Sequence, residues 1–165
     1  MGKNGKRVAV GLSGGVDSSV AAWLLKRDGW DVVGLTMSIW DGSVPIPDEG
    51  RSGCFGPGEA RDLEAVRDIA ARLGIEHRVV RLAEEYKRTV LAYFREEYLA
   101  GRTPNPCVRC NQRMKFGFLL EAARAQGVEF DQFATGHYAR ARFDEPSGRW
   151  QLLRGKDAEK DKSYF

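Results

Sequence analysis

The sequence predicts an α/β fold, a doubly wound parallel sheet of Rossmann-like form, on three observations. Short apolar runs with strand character alternate with stretches of helical spacing. The first of these runs, residues 6–12, is apolar on both faces, as a central parallel strand must be. A glycine-rich turn then joins it to the first helix, at the carboxyl edge where open α/β sheets keep their ligands.

The elements follow in order. Residues 18–28 read as a helix with Val20, Ala21, Leu24 and Leu25 on its apolar face and Gly29 as its stop. Residues 31–39 (DVVGLTMSI) are a second strand. Residues 41–58, with Pro45, Pro47 and Gly50, are irregular. Residues 57–73 return to helical spacing through Leu63, Val66, Ile69, Ala70 and Leu73 and stop at Gly74. A third strand spans 76–82 and a helix 84–99. Pro104 and Pro106 make 101–111 (GRTPNPCVRCN) a presented, irregular loop, and Asn111 caps a helix running to Gln126. A fourth strand covers 130–135, and residues 139–143 and 150–154 form a hairpin around DEPSG. No internal repeat or low-complexity tract interrupts the pattern.

Composition narrows the function classes. With 165 residues, 42% of them hydrophobic, the chain suits one compact domain. No apolar run approaches the roughly 18 residues of a membrane span, and MGKNGKR leads into a strand without a signal-peptide core, so no membrane partner and a cytoplasmic location are expected. Three cysteines, Cys54, Cys107 and Cys110, are too few and of odd number for a disulfide framework, which points to reduced thiols with chemical or metal roles. The net charge of +3 is unevenly spread: residues 1–100 carry 14 Lys and Arg against 15 Asp and Glu, residues 101–165 carry 12 against 8. Arg102, Arg109, Arg113 and Lys115 surround the paired cysteines and are expected to draw phosphate there.

The turn itself reads GLSGGVDSS. Gly14 and Gly15 let a backbone approach closely; Ser13, Ser18 and Ser19 offer hydroxyls; Asp17 can hold a magnesium ion bridging phosphates. A Walker A loop is excluded, because no lysine follows the glycines. So is a dinucleotide fingerprint, since the G-x-G-x-x-G spacing is missing. A turn that used glycine only for tight packing would not need SGGVDSS.

That string resembles the PP-loop of the ATP pyrophosphatase superfamily, whose members cleave ATP between its α and β phosphates and adenylate a carbonyl-type oxygen. With it, GRTPNPCVRCNQRMKFGFLLEAA, ATGHYAR and KDKSYF, in that order, resemble the tRNA-specific 2-thiouridylases. The resemblance covers essentially the whole chain. It implies that uridine 34 at the wobble position of Lys, Glu and Gln type tRNAs is adenylated at O2, that sulfur carried as a cysteine persulfide replaces that oxygen, and that AMP and pyrophosphate are released. ATP and magnesium are the implied cofactors, tRNA and a sulfur donor protein or sulfide the implied partners.

Residue by residue, the resemblance places ATP against Gly11, Leu12, Ser13, Gly14, Gly15, Val16, Asp17 and Ser18, against Met37 at the end of the second strand, and against Gly136. Asn105, Pro106 and Cys107 match the stretch that meets the flipped target base. His137, Lys160, Asp161 and Lys162 match positions near tRNA. Cys110 matches the cysteine assigned as nucleophile, and a helix N-terminus with Arg109, Arg113 and Lys115 nearby is expected to depress its pKa. Cys54 is read as structural. Lys115 and Phe116 read equally well as helix surface and as catalytic groups.

Two departures keep alternatives open. Cys107 stands where other members carry an aspartate, and the resulting C-x-x-C gives a second route, a 4Fe-4S cluster held by Cys107 and Cys110 with an open iron for sulfide. Members of the family are also longer, continuing past SYF. Residues 1–165 are therefore expected to be the PP-loop ATP-binding catalytic domain, without the family's C-terminal tRNA-binding and β-barrel domains. Another PP-loop adenylating enzyme, or an ATP- and tRNA-binding module without turnover, is the alternative.

Overall fold

The computed structural model describes residues 5–48 and 54–163. Four parallel strands form the main sheet: β1 (Arg7–Gly11), β2 (Asp31–Ser38), β3 (Glu76–Arg81) and β4 (Gln132–Ala134), in the order β3-β2-β1-β4. Val8 pairs with Val32 on one side and with Gln132 on the other, and Val33 pairs with Glu76. The chain thus builds outward from β1 to β3, then crosses back to lay β4 on the opposite side of β1. Between β1 and β4 lies the switch point, where α/β sheets open a crevice for ligands.

Strand alternation explains the two layers. Val8, Val10, Leu12 and Val32 point to one face, where they meet Ala22 of α1 (Val16–Arg27) and Val66 and Ala70 of α2 (Glu59–Leu73). Ala9, Val33, Leu35 and Val80 point to the other, against Tyr86 and Val90 of α3 (residues 83–99) and Met114, Leu119 and Ala123 of α4 (residues 106–125). Each fully buried aliphatic side chain here contributes about 1.5–3 kcal/mol by leaving water. Lys26, in the last turn of α1, donates to the Gly74 carbonyl at 2.9 Å and so ties the C-terminal ends of α1 and α2 together. Gly74 itself sits at φ +61° and closes α2 as expected.

Both helices of the second layer contain π-helical turns. In α3, Lys87–Leu91 is π-helical between α-helical Ala83–Tyr86 and Ala92–Leu99. In α4, Asn111–Phe118 is π-helical between Pro106–Cys110 and Leu119–Ala125. Such wide turns re-aim side chains and gather at functional sites.

The structure corrects three expectations. Residues 101–111 are not wholly irregular: Pro106 sits at the first helical position, where its missing N–H is no loss, and Asn105 caps it, its Oδ1 accepting from the Val108 N–H at 3.2 Å. The helix therefore starts five residues before Asn111, which is buried inside it. The apolar face of α1 is also rotated. Ser18 and Ala22 are its buried residues, with Leu25 packed beside them, while Val20, Trp23 and Leu24 are exposed. Ser18 is held by the preceding loop and sets that rotation. Finally, the fourth strand shrinks to Gln132–Ala134, whereas the hairpin forms as β5 (Arg140–Asp144) and β6 (Arg149–Leu153), antiparallel and separate from the main sheet.

Candidate active site

The loop leaving β1 is shaped from within. Gly14 takes φ +79°, a left-handed conformation that favours glycine, and a Cβ there would stand 3.3 Å from Val66. The buried Ser18 hydroxyl donates to the Gly15 carbonyl at 3.1 Å, accepts from the Ser13 N–H at 3.3 Å and lies 3.3 Å from Ser13 Oγ. Ser19 Oγ also donates to Gly15 at 2.9 Å. Ser18 and Ser19 thus hold the loop's form, and Ser13 is left as the exposed hydroxyl. Gly15 is the N-cap of α1 and offers no side chain, so the first-turn N–H groups keep their capacity for an anion.

Leu12 belongs to the core. Its N–H donates to the Leu35 carbonyl at 2.8 Å, and its own carbonyl accepts from Thr36 Oγ1 at 2.9 Å. Because the Thr36 proton is committed there, His77 Nε2, 2.9 Å away, is the donor to Thr36. Burial first, then the Arg67 charge, hold the His77 pKa below its ordinary value. Neither Thr36 nor His77 was singled out by sequence; alternation alone would only have placed them on one face.

The segment after β4 lies over the start of α1. A Cβ on Gly136 would come within 2.6 Å of the Ser18 nitrogen and 2.8 Å of the Asp17 carbonyl carbon, so only glycine allows this approach. Tyr138 donates its hydroxyl proton to Asp17 Oδ1 at 3.0 Å. That hydrogen bond first, and then the Asp17 charge, raise the Tyr138 pKa in return. Asp17, exposed in the first turn of α1, suits magnesium, which takes one or two carboxylates and draws its other ligands from phosphate and water. His137 Nδ1 lies 2.7 Å from Thr135 Oγ1, and burial, Lys115 and Lys162 together lower its pKa.

At the exit of β2, Glu59 accepts from Ser38 Oγ at 2.6 Å, from the Ile39 N–H at 2.7 Å and from the Trp40 N–H at 2.8 Å. As the first residue of α2 it also favours that helix's positive end. Glu59 fixes the chain beyond the half-buried Met37. Sequence pattern gave no sign of it beyond an acid opening a helix. Further on, Trp40 meets Phe55 edge to face and Phe55 stacks on Tyr86, with ring centroids 5.0 Å apart at each step. Residues 49–53 lie outside the described chain, as does the SYF end from Tyr164 onward.

The cysteines do not match the expected chemistry. Cys110 lies in the second turn of the helix, 8% exposed and packed in the core. Burial pushes its pKa up to about 11, against the pull of Lys115, and the Cys54 and Cys107 charges push the same way. The expected depression fails because burial outweighs the Lys115 charge, and the helix begins at Pro106, so that Cys107, exposed, stands in the first turn instead. Cys54, read as structural, is exposed. Among the described residues no group of three or more His, Cys, Asp and Glu side chains is placed to hold a metal ion.

The basic set is also thinned. Arg102 is committed to Glu97 through two bonds of 2.6 and 2.7 Å, and the Arg109 guanidinium lies over the Tyr93 ring at 5.5 Å. Lys115 instead joins the two halves of the site, since its charge acts on both Cys110 and His137. Asp161 accepts from the Gly155 and Ser163 N–H groups at 2.9 and 3.1 Å and organises its own turn, which lowers its pKa. Lys162 N–H donates to the Tyr138 carbonyl at 3.2 Å, while Lys160 is exposed. No helix of the described residues is long and apolar enough to cross a membrane.

Known proteins match this arrangement. A solved structure described as a predicted subunit of tRNA methyltransferase from Methanocaldococcus jannaschii is similar over 79% of this chain and 52% of its own, at 19% identity and a TM-score of 0.48. The tRNA-specific 2-thiouridylase MnmA of Endomicrobium trichonymphae is 48% identical over 160 residues, 96% of this chain and 44% of the relative. That of Clostridium perfringens is 46% identical over 159 residues, 96% and 42% respectively. The chain thus spans less than half the length of these curated relatives. The family model for the tRNA methyl transferase HUP domain matches residues 6–165, and the chain, with its glycine-rich loop at the β1–β4 switch point, belongs to that family.

Proposed function

We propose that this chain is the ATP-binding, adenylating part of a tRNA 2-thiouridylase. The observation that carries the reading is the closure of the Thr135–Tyr138 segment over the Gly14–Ser18 loop, through Gly136 against Ser18 and Tyr138 against Asp17, at the switch point. ATP lies with its phosphates against Ser13, Gly14, Gly15 and the first turn of α1, Met37 on its β2 side, and magnesium on Asp17. Uridine O2 attacks the α-phosphorus and pyrophosphate leaves; a sulfur nucleophile then attacks C2 and AMP leaves with the oxygen. Adenylation is needed because an amide-type oxygen is a poor leaving group.

The exposure of Cys107 supports it as the thiol that a sulfur donor protein or sulfide first meets. Cys110 holds the sulfur-bearing role only once its burial is relieved, so that the pull of Lys115 is no longer outweighed. Asn105 and Pro106 present Cys107 to the target base, and Lys160 and Lys162 face tRNA in the cytoplasm. The test is pyrophosphate release from ATP with tRNAs of Lys, Glu and Gln type as stimulants. Stimulation by those tRNAs and not by tRNA lacking a wobble uridine supports the reading. Stimulation by a small carboxylic acid instead assigns another PP-loop adenylating enzyme.

A further inference from the structure

Phe116 is a large apolar side chain left 52% exposed in the π-helical part of α4. Its ring meets the Phe133 edge at 5.7 Å and 84°, and it lies 6.1 Å from the His137 ring at an inclination of 33°. Phe133 in turn backs onto Gly11, where an added Cβ would touch its Cζ at 3.3 Å. Phe116 therefore stands on the β4 side of the phosphate loop, supported from behind and open in front. Five residues earlier, one π-helical hydrogen-bond step, Asn111 is 5% exposed and its Oδ1 has no hydrogen-bond partner among the described residues.

We infer that Phe116, with His137 tilted beside it, is the stacking shelf that receives the target pyrimidine of the RNA. This deepens, and rests on, the tRNA reading above. An unstacked base taken out of an anticodon loop needs a π-face to replace the neighbours it has lost. Phe116 offers one without charge, next to a loop that holds phosphates. Burial first, then the Lys115 and Lys162 charges, bias His137 toward its neutral form, which suits stacking beside an uncharged base. Asn111 Oδ1 is an acceptor of the kind that the N3–H of a uracil satisfies. Adenine is the less suitable occupant, because the sheet order sets Met37 on β2, with β1 between it and β4.

The experiment uses an anticodon stem-loop RNA with a fluorescent uridine analogue, quenched on stacking, at the wobble position and a second dye for anisotropy, with ATP present. The wild-type chain is expected to bind and quench. Phe116→Leu is expected to weaken binding roughly tenfold or more, to lose the quench in the remaining complex, and to leave ATP affinity unchanged; Phe116→Tyr restores both RNA signals. A full quench with Phe116→Leu overturns the shelf. A parallel loss of ATP affinity also overturns it, because the ring then serves the nucleotide. Failure of the wild-type chain to bind the stem-loop at all removes the tRNA reading itself and the shelf with it.

Discussion

Tyr138 and Asp17, 121 residues apart in sequence, are joined by a 3.0 Å hydrogen bond from the tyrosine hydroxyl to the carboxylate. Asp17→Asn keeps an acceptor for that proton and removes the charge. The expected result is an unchanged melting temperature with at least tenfold weaker magnesium-dependent ATP binding, read by calorimetry with and without the metal. Equal ATP binding would take Asp17 out of the nucleotide site.

Gly136→Ala places a methyl group 2.6 Å from the Ser18 nitrogen, against backbone that cannot swing away. The segment must lift off α1. ATP affinity should fall about tenfold or more, and Tyr138 should lose its bond to Asp17, returning its pKa toward the ordinary tyrosine value in an ultraviolet titration.

Removing Glu59 strands three donors at the exit of β2, two of them backbone N–H groups. Glu59→Ala should cost about 2–4 kcal/mol in urea unfolding, since charge-assisted bonds are the stronger ones and their loss leaves partners unsatisfied. Glu59→Gln, which retains one acceptor oxygen, should fall between the variant and the wild type.

Thiol reactivity separates the two cysteines of the C-x-x-C pair. With its pKa pushed up to about 11 by burial, Cys110 holds about a hundredfold less thiolate at neutral pH than it would at the ordinary value of 9.0. Timed alkylation followed by peptide mass spectrometry should label Cys107 and Cys54 first, both exposed, and Cys110 last. The Cys110 rate should climb tenfold per pH unit through pH 10. Early labelling of Cys110 would show that the core around it opens readily.

His77 and His137 both have folded pKa values below 6.5, each first through burial. A depressed folded pKa means the unfolded chain binds the proton more tightly. Their contribution to stability is complete above pH 6.5 and is lost as the pH falls through 6.5 toward their folded values. The depressed carboxylates Asp41 and Glu76 act only near and below pH 4, so the urea midpoint between pH 7.5 and 5.5 reads the histidines. His77→Gln should flatten that dependence.

The order of strands and helices was legible because its signals are local. Alternation in residues 6–12 and 31–39, Gly74 after an apolar-periodic run, and the SGGVDSS turn each carry their reason within a few residues. The prolines of 101–111 misled because they break a helix anywhere except at its first turn, and Pro106 stands there, behind the Asn105 cap.

What the sequence by itself determined is therefore the doubly wound sheet, the family and the place of the glycine-rich loop at the exit of β1. Only the tertiary structure decided which side chains distant segments spend on one another. Ser18 went to bracing the loop, Arg102 to Glu97, Glu59 to the exit of β2, and Cys110 into the core, while Tyr138 reached Asp17 and Phe116 stayed exposed beside His137. The physical reason is that burial and hydrogen-bond pairing depend on groups brought together from distant parts of the chain, and a thiol's acidity follows the water around it rather than the motif that contains it.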